Sequence, residues 1–348
     1  MSSTPAYPSS RAAPGARNLI TDVPGLQVGQ AHDAAARTGV TVIFPQDRAV
    51  AACDVRGGGP GTRETDALAP ENLVEAIDAI VLSGGSVYGL AAADGVAAYL
   101  GARGRGYGLV AGVPPSPVIP AAILYDIANG GDRAWGEDPP YRRLGREAIA
   151  AIGPDFALGT AGAGHGAMAG ALKGGTGSAS IVAADGITVG ALVCVNSWGS
   201  VVAPGGRTFW AAPFEIGGEF GGLGPAGLMA APDDWGLAKA DPQARMAQRA
   251  NTTIACVATD VALTPAQAKR VAVMAQDGLA RAIRPIHAPF DGDVVFALST
   301  ARRPLEDGDF TIARIGALAA DTLARAVARG VHEATPWPGS EVRCWRRL

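Results

Sequence analysis

Asn251-Thr-Thr-Ile-Ala-Cys-Val-Ala-Thr259 is an apolar, β-branched run that predicts a central strand, and it begins abruptly. Residues 203–250 before it carry Pro204-Gly-Gly206, Gly217-Gly218, Gly221-Gly222 and Pro225. The polar stretch Asp241-Pro-Gln-Ala-Arg-Met-Ala-Gln-Arg249 then follows. So long a stretch without regular pattern inside a compact domain is functional or a linker. A flexible side followed by a rigid side is the layout required by a nucleophile that is exposed by chain cleavage. A Thr hydroxyl is a weak nucleophile, but a Thr at a new N-terminus carries its own base in its α-amine. That amine titrates near roughly 7.7–8.0, so a useful fraction is neutral at physiological pH. The competing reading of Thr252 is an ordinary strand start. Asn251-Thr252-Thr253 also has the form of a glycosylation sequon, which suits neither the missing secretory signal nor the apolar strand it opens.

Downstream of the run, Thr264-Pro-Ala-Gln267 is a capping box with proline at the first helical position, and it predicts a helix to about Arg281. Asp291-Gly-Asp293 leads into a strand over Val294–Ser299, and a last helix spans about Thr311–Arg329. Upstream, Gly39–Phe44 and Ala49–Val55 read as short strands joined around Gln46-Asp47. Asp78–Leu82 reads as a buried strand running into Ser83-Gly84-Gly85-Ser86, with Ser86 placed to cap a helix over Val87–Leu100. The Ala and Gly content of that helix predicts very close packing by a neighbouring layer. Ser178–Ala184 and Ile187–Val195 flank Asp185-Gly186 as a hairpin. Helices alternate with strands and hairpins are present, so the pattern predicts stacked mixed α/β (α+β) layers and not a doubly wound sheet.

Composition bounds the rest. A chain of 348 residues that is 48% apolar and 18% charged is long enough to bury a large core. No apolar run is long enough to span a bilayer, and residues 1–17 read as a loose tail and not a signal peptide, so a cytoplasmic location is expected. A formal charge of −3 supplies no broad positive surface for nucleic acid. The cysteines Cys53, Cys194, Cys256 and Cys344 have no CxxC spacing and the four histidines form no HExxH pair, so neither a disulfide frame nor a metal hydrolase is supported. Gly162-Ala-Gly164-His-Gly166-Ala167 is a weak dinucleotide fingerprint, lacking both the preceding apolar strand and the later acidic residue.

Among the polar residues, Lys173 stands apart. It is one of three lysines, and it lies in a Gly- and Ala-rich stretch that reads as buried, whereas Lys239 and Lys269 are expected to be solvated. A buried ammonium calls for a carboxylate or a functional use, and Asp291 and Asp293 are candidate partners. Those two aspartates also fit a common turn before a strand. Asn196, just beyond the strand Ala191–Val195, is placed to aim an amide N–H at a developing oxyanion or to bond a turn backbone.

Several stretches together resemble the L-aminopeptidase/D-esterase (DmpA-type) peptidases. They are Leu82-Ser-Gly-Gly-Ser-Val-Tyr-Gly-Leu-Ala-Ala-Ala-Asp-Gly95, Tyr125-Asp126, Asn251-Thr-Thr-Ile254, Ala258-Thr-Asp260 and Asp291-Gly-Asp-Val-Val-Phe-Ala297. The resemblance runs from about residue 18 to nearly the end. Thr252 with Asp291-x-Asp293 is similar to the nylon-oligomer hydrolase branch, whereas the β-aminopeptidase branch has Ser as nucleophile and a Ser-x-Glu pair. The resemblance implies a four-layered αββα sandwich of the N-terminal-nucleophile type. It implies a cut between Asn251 and Thr252 into a large subunit, 18–251, and a small one, 252–348, that stay associated, as well as homotetramers or larger assemblies. Thr252 would be the nucleophile, Lys173, Asp291 and Asp293 would orient it, Asn196 would hold the oxyanion, and Tyr125 would line the site. No cofactor or metal is implied. The expected substrates are small oligoamides, foremost 6-aminohexanoate oligomers, or alternatively N-terminal residues of short peptides, amino-acid amides and esters. Acyl transfer of the ornithine acetyltransferase kind is disfavoured, because no Ala-Thr-Met-type junction is present. An uncleaved, non-catalytic binding or scaffold protein is the rival of a different class.

Overall fold

The computed structural model describes residues 12–108, 110–239 and 251–348. In chain order the strands and helices are β1 (Leu26–Asp33), β2 (Thr38–Pro45), β3 (Val50–Val55), β4 (Thr62–Arg63), β5 (Ile80–Ser83), α1 (Ala91–Gly101), β6 (Ala121–Ile123) and α2 (Tyr141–Ala150). They continue with β7 (Met168–Ala169), β8 (Leu172–Lys173), β9 (Gly175–Val182), β10 (Thr188–Asn196), β11 (Thr252–Val261), α3 (Pro265–Ala282), β12 (Val294–Arg303) and α4 (Gly308–His332).

Two five-stranded sheets result, ordered β1-β2-β5-β6-β4 and β3-β12-β11-β10-β9, with β7-β8 as a separate hairpin. Alternation along β11 explains why they stack. All ten of its residues are buried, and successive side chains point to opposite faces. Ile254, Cys256 and Ala258 join Ile43, Ile80, Leu82, Leu192 and Phe296 in a core between the sheets. Ala255, Val257 and Val261 join a second core with Val271, Leu279, Ile315 and Leu323 of α3 and α4. A third core sets Val40, Val42 and Val81 against Val96 of α1 and Leu144 and Ile149 of α2. Helices therefore cover the outer face of each sheet, and the order is αββα.

The local signals at several ends are the ones that the sequence carries. Thr264 Oγ accepts from Gln267 N at 3.3 Å while Gln267 Oε1 accepts from Thr264 N at 2.9 Å, closing the capping box of α3. Asp185-Gly186 joins the antiparallel pair β9 and β10. Close packing around α1 is literal: a Cβ at Gly95 would lie 2.1 Å from the Arg142 carbonyl, and one at Gly145 the same distance from that of Ala92.

Two expectations are corrected. The helix after Ser86 starts as a 3-10 turn over Ser86–Leu90, with Gly85 and not Ser86 at its N-cap, and becomes α-helical at Ala91. The tail is not loose throughout. Residues 1–11 lie outside the described residues, but Ala13 exchanges backbone hydrogen bonds with Val182, and Gly15 N donates to Ser180 Oγ. The glycines of 162–166 form a buried 3-10 turn and not a phosphate loop; a Cβ at Gly164 would lie 2.1 Å from Thr176 N. No helix is long and apolar enough to cross a membrane among the described residues.

Candidate active site

Strand register assembles the site. Asn196 ends β10 directly opposite Thr252, the first residue of β11. On the other side β12 runs parallel to β11, with Ile254 opposite Val294, and Asn251 bridges Asp291. Thr252 is thus held between the two places where sequence reading put Asn196 and the aspartate pair. By alternation it shares the inter-sheet face with Ile254. There it borders a cavity of about 450 Å³ lined also by Gly59, Pro60, Gly61, Thr62, Ser86, Val87, Leu90, Ile123, Tyr125 and Asn251. The Thr252 hydroxyl donates to the carbonyl oxygen of Asn251, the residue before it.

The aspartates hold backbone more than side chain. Asp293 Oδ1 accepts from Thr253 N at 2.7 Å, and its Oδ2 accepts from His287 N at 3.1 Å and His287 Nδ1 at 2.9 Å. Asp291 Oδ2 accepts from Ala288 N at 3.0 Å, while its Oδ1 is buried with no hydrogen-bond partner among the described residues. Burial, and then the Asp293 charge, push the Asp291 carboxyl up to about 7. Gly292, between them, sits directly against Thr252: a Cβ there would lie 2.8 Å from Thr252 Oγ1. The Arg56-Gly-Gly-Gly-Pro-Gly61 loop packs backbone on backbone over this turn. Gly59 N donates to Asp291 O at 2.7 Å, and a Cβ at Gly57 would lie 2.3 Å from that same oxygen.

Asn196 is fixed at both ends of its amide. Its Oδ1 accepts from Met168 N at 2.9 Å and Asn129 Nδ2 at 3.2 Å, and its Nδ2 donates to Tyr125 O at 3.0 Å. One contact therefore links Asn196 to Tyr125, whose half-buried residue borders the cavity. On the same wall, Asp126 shapes the Ser83-Gly-Gly-Ser86 turn: it accepts from Gly85 N at 2.8 Å and Thr38 Oγ1 at 2.7 Å. Burial raises its carboxyl to about 6.

Lys173 is as buried as expected, but its partners are not aspartates. Its ammonium donates to the carbonyls of Gly164, Ala167 and Gly174 at 3.2, 3.0 and 2.7 Å and lies 4.9 Å from the Trp337 ring centroid. Burial lowers it to about 7. Three carbonyls meet the need that the sequence assigned to Asp291 and Asp293. The lysine touches Thr252 in none of these bonds. It instead anchors the turn whose next residue, Met168, holds Asn196.

Lys239 reverses its expectation in the other direction. It is half-buried, and its ammonium donates to Asn251 Oδ1 at 2.8 Å. Burial lowers it to about 7 against the opposing pull of Asp291. Lys269 is half-buried and is tied down as well, to Asp54 Oδ1 at 2.9 Å and Cys53 O at 2.7 Å. Besides Lys239, sequence reading missed His287 and Asn129. His287, four residues before Asp291, offered a ring beside an acidic turn as its one signal, and Asn129 offered none.

The family model described as peptidase family S58 matches residues 18–344. An uncharacterized aminopeptidase of Mycobacterium tuberculosis is 45% identical over 343 residues, covering 92% of this chain and 96% of that one. A 6-aminohexanoate-oligomer endohydrolase of a Kocuria species is 30% identical over 294 residues, covering 82% and 76%. Among solved structures, a Burkholderia β-aminopeptidase superposes with a TM-score of 0.70 at 23% identity, covering 97% of this chain and 93% of that one. The L-aminopeptidase D-Ala-esterase/amidase of Ochrobactrum anthropi, described as a variant of the Ntn hydrolase fold, gives 0.68 at 22%, covering 95% and 90%. Both likenesses show that this chain shares their fold, which for the Ochrobactrum enzyme is described as a variant of the Ntn hydrolase fold.

Proposed function

This chain belongs to peptidase family S58 and is a hydrolase of peptide bonds on an Ntn-type fold, and we propose that Thr252 is its nucleophile, first for its own cleavage and then for turnover. The observation that carries the proposal is the Thr252 hydroxyl resting on the Asn251 carbonyl at the wall of a substrate-sized cavity. In the precursor Thr252 Oγ attacks the Asn251 carbonyl carbon. The peptide C–N bond breaks, the nitrogen takes the hydroxyl proton, and an ester remains. Water then hydrolyses the ester: its oxygen joins the Asn251 carboxylate, one of its protons goes to Oγ and the other is released, leaving a free Thr252 amine. In the mature enzyme that amine takes the Oγ proton as Oγ attacks a substrate amide and passes it to the leaving nitrogen as the C–N bond breaks, and water then hydrolyses the acyl-enzyme, restoring the Thr252 hydroxyl. Asp293, fixed to Thr253 N, and Asp291, across from Asn251, hold the place where the new amine forms. Asn196 is the oxyanion donor of this scheme, its amide fixed by Met168 and Asn129.

The two pieces stay joined by the sheet itself. Strands β11 and β12, both from 252–348, lie between β3 and β10 of the larger piece, so a cut at 251/252 leaves ladders on both sides intact.

The substrates we propose are small oligoamides. Among the described residues no side-chain carboxylate lines the cavity, and Asp94, on the helix that continues from Leu90, is engaged by Arg63. An amine at a substrate's end therefore finds no side-chain counter-charge among those lining residues, the α-carboxylate made on Asn251 by the cut being held beside Lys239, whereas Val87, Leu90 and Ile123 suit a methylene chain. The second reading, release of N-terminal residues from short peptides, is favoured by the 45%-identical relative that is named an aminopeptidase.

Intact mass of the purified chain and of Thr252→Ala tests the nucleophile. The expected wild-type result is two pieces, the smaller starting Thr-Thr-Ile; the variant is expected to be full-length, folded and inactive. A variant that still cleaves refutes the assignment. Matched amides with free and acetylated amines then separate the substrate readings, because an aminopeptidase loses the blocked series.

A further inference from the structure

Residues 203–239 do not behave as a free linker where they approach the cut. Leu237 O accepts from Ala171 N at 2.7 Å, Lys239 N donates to Trp198 O at 2.9 Å, and Trp198 Nε1 donates to Lys239 O at 2.8 Å. Trp198 is itself buried, with its ring 5.1 Å from that of Phe290 and 5.2 Å from that of Trp235. Phe290 precedes Asp291, so these contacts place Lys239 relative to the turn beside Thr252. From that fixed point the ammonium reaches Asn251 Oδ1 at 2.8 Å. Asn251 is buried, and its carbonyl is the one on which the Thr252 hydroxyl rests.

We propose that Lys239 is a positioning residue for maturation: by gripping the Asn251 side chain it fixes the scissile carbonyl against Thr252 Oγ, and it has no part in substrate turnover. This rests on the self-cleavage proposed above. The cavity borders Asn251 and Thr252, but Lys239 does not line it, so the grip acts from outside the substrate space. The other buried lysine is unavailable for the task, since the Lys173 ammonium is engaged by three carbonyls. No proton passes through Lys239 in the step. The bond changes are those of the acyl shift and ester hydrolysis, and Lys239 ends beside the carboxylate newly made on Asn251. A hydrogen bond from a charged donor that holds a reacting group is worth about 10- to 100-fold in rate when lost.

The test follows the appearance of the two-piece form by intact mass in the full chain. Lys239→Met is expected to slow maturation about 10- to 100-fold, and Lys239→Arg to restore most of the rate. Asn251→Leu should slow it similarly, and the double variant should be no slower than either single one, because both remove the same contact. Once fully cleaved, Lys239→Met should turn over substrate with wild-type kcat. Adding Lys239→Met to Thr252→Ala should leave the melting temperature of Thr252→Ala unchanged, separating positioning from folding.

Maturation of Lys239→Met at the wild-type rate overturns the proposal. So do additive effects in the double variant, an equal loss of kcat in the cleaved form, or a large drop in melting temperature. If Thr252→Ala blocks the cut and Lys239→Met does not, this inference fails alone; if the wild-type chain never cuts, the Thr252 reading fails with it.

Discussion

Gly292→Ala adds one methyl group at the most crowded point of the site. Gly292 has no left-handed backbone, so alanine meets no conformational penalty there and the effect is steric. The added Cβ would lie 2.8 Å from Thr252 Oγ1, 2.8 Å from the Gly59 carbonyl oxygen and 3.2 Å from Thr252 Cγ2. Ordinary contact begins near 3.4 Å, so relief requires a shift of 3.4 − 2.8, about 0.6 Å, by the hydroxyl or by the loop that carries Gly59. Moving Gly59 disturbs its bond to Asp291 O, so the rotatable hydroxyl yields first. Overpacking of this kind costs about 1–3 kcal/mol of stability, which a domain with a large core survives. The kinetic cost is larger in consequence, because a misplacement near 1 Å costs about 100-fold in rate. Gly292→Ala should therefore fold, melt a few degrees lower, and both mature and turn over about 10- to 100-fold more slowly. Adding Thr252→Ser removes the Cγ2 contact and should recover part of that loss. Melting curves establish the fold and time-resolved intact mass establishes maturation. A folded Gly292→Ala chain that matures at the wild-type rate would refute the placement of the Thr252 hydroxyl against this turn.

Asp291→Asn should stabilise the folded chain at pH 8 while abolishing maturation. The Asp291 carboxyl is pushed from its ordinary value of 3.8 up to about 7, so folding favours its protonated form and wild-type stability falls as pH rises through that window. The gain in melting temperature, measured in the uncleaved Thr252→Ala background, should therefore be largest at pH 8 and vanish toward pH 4; a loss of stability at pH 8 in that background contradicts the sign. His287→Ala removes one of the donors holding Asp293 Oδ2, and should lower kcat about 10-fold with little change in KM, read from steady-state rates on the cleaved form. Arg325→Met should cost about 3 kcal/mol in urea unfolding, because it takes the close ion pair from the buried Glu219 side chain and leaves it the 3.5 Å contact to Arg329 beside the hydrogen bonds from Asn18 Nδ2 and Ile216 N. A loss below about 1 kcal/mol would mean that this buried pair adds little beyond packing.

What the sequence made legible here was local chemistry. The β-branched run at 252–259, the Asp185-Gly186 turn and the Thr264 capping box each settle their own conformation within a few residues, so they can be read without knowing what they touch. Even the missed helix α2 carried such a signal, in Tyr141, Leu144, Gly145, Ala148 and Ile149, obscured by the arginines and glutamate between them. The site is of another kind, because its members meet through register. Asn196 faces Thr252 only because β10 and β11 pair in one register out of many, and Asp291 arrives through the parallel strand β12. A resemblance to a known family brought those residues together in advance; composition and periodicity did not.

The lysines show where reading by burial stops. Lys173 was rightly marked as buried, but a buried ammonium is satisfied equally by a carboxylate or by three carbonyls, and residue types do not distinguish the two. Lys239 reads as solvated because it lies in the Gly- and Pro-rich stretch that reads as a linker. Its place is set instead through its main chain: its N–H donates to Trp198 O, its C=O accepts from the Trp198 indole, and Leu237 O accepts from Ala171 N, a part that needs no particular side chain at these positions. A segment tied down in that way looks like a linker in sequence and behaves as part of the site in space. This is also what a cut beside it demands. In the self-cleavage proposed above, the Asn251 carbonyl would have to be held rigidly beforehand, anchored from both sides, by β11 on one and by Lys239 on the other.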